Sequence, residues 1–241
     1  MPSSRYWRGP ALSTSSRNSA APTTAVAALV LLLAGIALAF YWVPEAPLEG
    51  FRQRIFYIHV PVALTAYALF GWGAWKALRL LWTRDERYDL ESYTAVHMGT
   101  IFGVLTLVTG SIWARTSWGV WWSWGERQLV LFLILFLFYS AYFMLRYSTD
   151  PGPRRANMSA VYALFGVVLI PVSFLAIRLA EGLIHPVVFD RNVGENLAAS
   201  QLVTVVVCLA GTLALAAALY LNELTGKRID ARLRDLRESL A

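Results

Sequence analysis

Leu129-Val130-Leu131-Phe132-Leu133-Ile134-Leu135-Phe136-Leu137-Phe138-Tyr139-Ser140-Ala141-Tyr142-Phe143-Met144-Leu145 contains no charged residue and shows no period-two alternation of apolar and polar positions. A strand of a membrane barrel would alternate, whereas a helix satisfies its own backbone hydrogen bonds inside hydrocarbon. The run therefore reads as a transmembrane helix over 128–145. Five comparable runs occupy 22–43, 56–82, 93–114, 157–179 and 198–222, each near the ~20 residues that cross the bilayer core. With 57% hydrophobic and 15% charged residues, a soluble core is excluded. The fold class expected is all-α: a polytopic integral membrane protein with six transmembrane helices spanning residues 22–222.

Orientation follows from the cationic residues, because Lys- and Arg-rich segments stay on the cytoplasmic side. Of the 21 Lys and Arg residues, fifteen fall on the side of the amino terminus and six on the other. Both termini are thus expected in the cytoplasm and segment 115–127 outside, in the periplasm or its equivalent. The net charge of +6 is a topology signal and not a nucleic-acid footprint. Residues 1–21, rich in Ser and small residues, read as a disordered leader. The Ala37-Leu38-Ala39 stretch imitates a signal-cleavage site, but the apolar run is longer than a signal core and reads as a retained helix. In the tail, 223–241, Leu224, Ile229, Leu233, Leu236 and Leu240 recur at helical spacing among charges. Such an amphipathic helix either rests on anionic headgroups or docks partner subunits.

Ordinary catalysis has little material. The single cysteine, Cys208, lies in the sixth run, so no disulfide framework or CxxC motif exists. No outer Ser-His-Asp or Cys-His constellation and no Walker motif occurs. The chain reads as a non-enzyme.

The dense chemistry lies in Trp118-Gly119-Val120-Trp121-Trp122-Ser123-Trp124-Gly125-Glu126-Arg127, with four tryptophans in seven residues. Trp42, Trp72, Trp75, Trp82 and Trp113 are accounted for by an interfacial aromatic belt, and a belt is also the bland reading of the cluster. Two of the three histidines, His59 and His185, fall at outer helix ends on the same side as the cluster. Pro61, two residues on, fits a first-turn position of helix two. Taken singly, each histidine is equally an interfacial group reaching water. His97 starts helix three on the inner side and reads as structural. Two imidazoles, a planar aromatic floor and nearby guanidinium groups are together what an iron porphyrin requires. His59 and His185 would take the axial positions and the indoles would cover the macrocycle. Arg54 and Arg127, both at the outer interface, would pair the propionates.

Arg54-Ile55-Phe56-Tyr57-Ile58-His59-Val60-Pro61, Leu107-Val108-Thr109-Gly110-Ser111-Ile112-Trp113 and Trp118-Gly119-Val120-Trp121-Trp122-Ser123-Trp124 resemble the CcmC, or heme exporter protein C, family of cytochrome c biogenesis. The resemblance implies a six-helix protein of the bacterial inner membrane that holds heme b as cargo at its outer face. It would pass the heme to a periplasmic heme chaperone, with which heme becomes covalently joined. Carried over, His59 and His185 are axial ligands, Trp118, Trp121, Trp122 and Trp124 the platform, and Arg54 and Arg127 propionate contacts. The implied partners are an ABC-type exporter membrane subunit, its ATPase and a small single-helix membrane protein. The chain departs from the family pattern after Trp124, where Gly125 and Glu126 replace the usual Asp. It departs again before His185, where Arg178-Leu179-Ala180-Glu181 replaces a tryptophan pair. Rival readings are a membrane b-type cytochrome that keeps its heme for electron transfer, and a cofactor-free scaffold subunit of a transporter.

Overall fold

The structure, a computed structural model, describes residues 20–47, 49–179 and 198–240. Residues 1–19, most of the expected leader, and the connection that holds His185 lie outside the described residues. Helix α1 (Ala20–Ala37) ends in a π-helical turn (Leu38–Trp42), and a 3-10 turn (Phe51–Ile55) leads into α2 (Phe56–Thr83). There follow α3 (Arg87–Trp118), α4 (Arg127–Tyr147), α5 (Pro153–Leu179) and α6 (Ala199–Leu240). All six are long and apolar enough to cross a membrane, and no strand occurs among the described residues.

Helix α2 is central, with α3, α5 and α6 around it, while α1 packs on α6 and α4 on α5. Lipid tails are as apolar as leucine, so helix association relies on close packing of small residues and on hydrogen bonds between helices. Both devices are present. A Cβ on Gly35 of α1 would stand 2.5 Å from Cys208 Sγ, and one on Gly211 of α6 would stand 3.0 Å from Leu32 Cδ2. The two helices thus meet nearly backbone to backbone, with Cys208 buried between them. Thr65 donates to Thr212 at 3.0 Å, Ser92 to the Gly73 carbonyl at 2.8 Å and Tyr139 to the Ala163 carbonyl at 3.1 Å.

At the middle of the bundle an aromatic pair is held between two glycines. Phe70 of α2 and Tyr139 of α4 stack with centroids 4.0 Å apart and planes 3° from parallel. A Cβ on Gly99 of α3 would lie 2.7 Å from Phe70 Cδ1, and one on Gly166 of α5 would lie 2.6 Å from Tyr139 Cζ. Neither ring can yield without moving the other, so four helices are registered by one column. Gly166→Ala is expected to destabilise the protein by roughly 1–3 kcal/mol through overpacking. Thermal unfolding in detergent measures this, and an unchanged midpoint would show that the column yields.

The helix ends on the side of the α2–α3 connection carry ion pairs. Asp89 of α3 receives both Arg146 Nη1 (2.8 Å) and Nη2 (2.7 Å) from the last turn of α4, and the guanidinium lies 4.4 Å from the Tyr93 ring centroid. Glu91 pairs with Lys76 of α2 at 2.8 Å and with Arg228 of α6 at 2.9 Å. Glu223 pairs with His97 at 3.2 Å and Lys227 at 2.9 Å. These bridges explain why α3 begins at Arg87 and not at 93: its first turns are polar but satisfied across helices. His97 therefore lies well inside α3, not at its start. Pro61 likewise stands inside α2 and not in its first turn, because the α-helix already begins at Phe56. Helix α6 continues unbroken from the apolar run through the charged tail to Leu240.

Candidate functional site

One end of the bundle is closed by a second apolar cluster: Ala39 and Val43 after α1, Phe56 and Tyr57 of α2, Trp113 of α3, and Val205 and Cys208 of α6. Above this floor, the segment before α2 is tied to the end of α3. Arg52 Nη1 donates to the Thr116 carbonyl at 2.7 Å and Arg52 Nε to the Glu49 carbonyl at 3.2 Å. Ser117 donates to Glu49 Oε2 at 3.2 Å. Gln53 accepts from the Ala46 backbone at 3.0 Å and donates to the Tyr57 hydroxyl at 3.1 Å. The first turn of α2 is thus fixed against the last turns of α3.

His59 is held by that arrangement. It is half-buried near the N-terminus of α2, its Nδ1 is 2.9 Å from Thr109 Oγ1, and its ring meets Trp113 edge to face with centroids 5.8 Å apart. Gly110 makes room for it: a Cβ there would stand 3.0 Å from His59 Cε1. Trp113 is 9% exposed and touches both His59 and Phe56, so it is a packing partner of the histidine and not a belt residue. Thr109, Gly110 and Trp113 complete the setting of His59, and their one signal in the sequence is the Leu107–Trp113 motif that contains all three.

Helix α3 stops where Gly119, at φ 78°, takes the left-handed conformation that glycine adopts without a Cβ penalty. The chain then turns through the tryptophans to Glu126, which is 3% exposed and whose carbonyl accepts from the backbone of Leu129 (3.1 Å) and Val130 (3.2 Å) to start α4. With both ends of the segment anchored, two of its indoles project. Trp121 is 61% and Trp124 74% exposed, while Trp118 and Trp122 are half-buried. Trp122 and Trp124 meet edge to face at 5.9 Å. Arg115 donates to the Gly119 carbonyl and places its guanidinium 5.9 Å from the Trp121 ring centroid, a cation–π contact.

The two arginines differ in setting. Arg127, the first residue of α4, is exposed. Arg54 is buried and donates from Nη1 to the Val43 carbonyl at 2.9 Å, so it also ties the α1 end to α2. Arg54 Nε and Trp122 Nε1 are both buried donors without a hydrogen-bond partner among the described residues. Unsatisfied buried donors are costly in a folded protein, and a ligand carrying acceptor oxygens would relieve that cost. His59, Arg54, the four tryptophans and Arg127 all belong to this end of the bundle; His185 lies outside the described residues. No group of three or more His, Cys, Asp or Glu residues able to hold a metal ion occurs among the described residues.

The heme exporter protein C family model matches residues 5–238. The heme exporter protein C of Rhodobacter capsulatus is 30% identical over 217 residues, covering 87% of this chain and 88% of its own. That of Bradyrhizobium diazoefficiens is 31% identical over 218 residues, covering 89% and 81%, and that of Paracoccus denitrificans 32% over 197 residues, covering 79% and 80%. The chain belongs to the heme exporter protein C family.

Proposed function

We propose that this protein serves heme export for cytochrome c maturation: it holds heme b as cargo at the outer face of the bacterial inner membrane and passes it to a periplasmic heme chaperone. The observation that carries this reading is the pair of exposed indoles, Trp121 and Trp124, on a segment anchored at both ends and at the same end of the bundle as His59. Exposed tryptophans on a fixed loop offer a flat apolar surface that a porphyrin can cover. His59 and His185 are the proposed axial ligands, and Trp118, Trp121, Trp122 and Trp124 the platform. Arg127, exposed, and Arg54, with its unpartnered Nε, supply cationic donors for the two propionates.

An open platform suits release. Withdrawing one histidine frees a coordination position for the acceptor's ligand, and the platform keeps the cargo oriented while its reactive edge joins the chaperone. In this reading both termini are cytoplasmic. The charged end of α6 is the docking surface for an ABC-type exporter membrane subunit and its ATPase, together with a small single-helix protein. A heme-retaining cytochrome would instead bury a histidine pair inside the bundle. Among the described residues, His97 pairs with Glu223 and lies about 18 Å of helix rise from Thr109, the partner of His59.

Titration of the detergent-purified protein with heme tests the platform. Wild type is expected to give a bis-histidine spectrum, and Trp121→Ala/Trp124→Ala to keep that spectrum with affinity lowered about tenfold or more, since each indole covers on the order of 100 Å² or more of ligand surface. Wild type that binds no heme, or a double variant that binds as tightly as wild type, overturns the reading.

A further inference from the structure

Thr109 stands in three contacts at once. Its Oγ1 is 2.8 Å from the Leu105 carbonyl, one helical turn back, 3.3 Å from the Thr106 carbonyl, and 2.9 Å from His59 Nδ1. A carbonyl only accepts, so the single hydroxyl proton must point to Leu105 for that contact to be a hydrogen bond, as threonines in membrane helices commonly arrange. The Thr109 oxygen then has only lone pairs to offer, and Nδ1 must be the donor. A neutral imidazole protonated on Nδ1 carries its lone pair on Nε2. Trp113 at the ring edge and the missing Cβ of Gly110 at 3.0 Å from Cε1 define the slot in which that ring stands.

We propose that Thr109 is a positioning residue that locks His59 in the Nδ1–H tautomer, so that Nε2 is the nitrogen presented to heme iron. The role in heme binding rests on the function proposed above, whereas the tautomer itself does not need heme. Histidine ligands to metals generally donate their second ring N–H to a fixed acceptor, and loss of such an acceptor weakens binding by about 10–100-fold.

Two measurements on the full-length protein in detergent separate the parts. The first is nitrogen NMR of heme-free protein with labelled histidine, in which only three imidazoles contribute and His59→Ala assigns the resonance. The expected result at neutral to mildly alkaline pH is a protonated Nδ1 and an unprotonated Nε2 for His59, lost in Thr109→Val and retained in Thr109→Ser, which keeps the hydroxyl. The second is heme titration of the same variants. Thr109→Val is expected to bind about 10–100-fold more weakly with an altered low-spin spectrum, and Thr109→Ser to bind like wild type. A His59 protonated on Nε2 in wild type overturns the lock. A Thr109→Val protein that binds heme like wild type, while His59→Ala does not bind, overturns the positioning role and leaves the heme site standing. A tautomer that follows Thr109 as expected in a wild type that takes up no heme overturns the heme reading, and with it any role in ligation.

Discussion

His59→Ala should abolish the six-coordinate spectrum and weaken heme binding by at least about 100-fold, the upper range seen when even an outer partner of a metal ligand is removed. If His59 is the ligand proposed above, its loss removes a bond to iron outright. Its described neighbours Thr109 and Trp113 provide a hydroxyl and an indole, neither of which is an axial ligand of the imidazole kind. Added imidazole should restore the spectrum in His59→Ala, because the space left beside Gly110 matches the ring removed. His185→Ala should show the same loss and the same rescue if the second ligand is that residue. Retention of a bis-histidine spectrum by either variant would transfer the ligand role elsewhere. Folding is checked in the same samples by tryptophan fluorescence and gel filtration, which should be those of wild type.

The second large effect is on stability. Replacing Asp89 by Ala should cost roughly 3–5 kcal/mol, because it strands the Arg146 guanidinium without a counter-ion in a buried setting. The side chain of Arg146 is 6% exposed and that of Asp89 17%, and two parallel N–H to carboxylate bonds join them. Tyr93 covers one face of the guanidinium, which further limits its access to water. Arg146→Ala should be nearly as harmful, whereas Asp89→Leu/Arg146→Leu should recover much of the loss, since no charge is then left buried. Thermal unfolding of the four proteins in one detergent gives the coupling. Equal, additive losses from the two single substitutions would show that the pair acts as an ordinary surface bridge.

Six helices were legible from apolar runs alone, as the uninterrupted stretch from Leu129 to Leu145 illustrates. Their ends were less so wherever polar residues are satisfied by other helices. Asp89 and Glu91 read as the outside of a span until Arg146, Lys76 and Arg228 are seen beside them, and nothing local to α3 announces those partners. The tryptophan segment was visible because its signal is density within seven residues. The setting of His59 was not, because its hydroxyl partner is fifty residues away and its room comes from an absent side chain at Gly110. Arg54 shows the same limit: its acceptor, the Val43 carbonyl, is a backbone group of an irregular segment, and backbone acceptors leave no mark in side-chain patterns.

Helix α6 has 42 residues, which at 1.5 Å per residue is a rod of about 63 Å, roughly twice the thickness of the hydrocarbon. Its N-terminal part lies under the cluster that supports His59, through Val205 and Cys208, and its C-terminal part holds Glu223 and Arg228 against α3. A continuous rod of that length is a lever. Pivoted near its middle, each degree of tilt carries the far tip about 0.5 Å sideways, so a tilt of several degrees moves Leu240 by several ångströms.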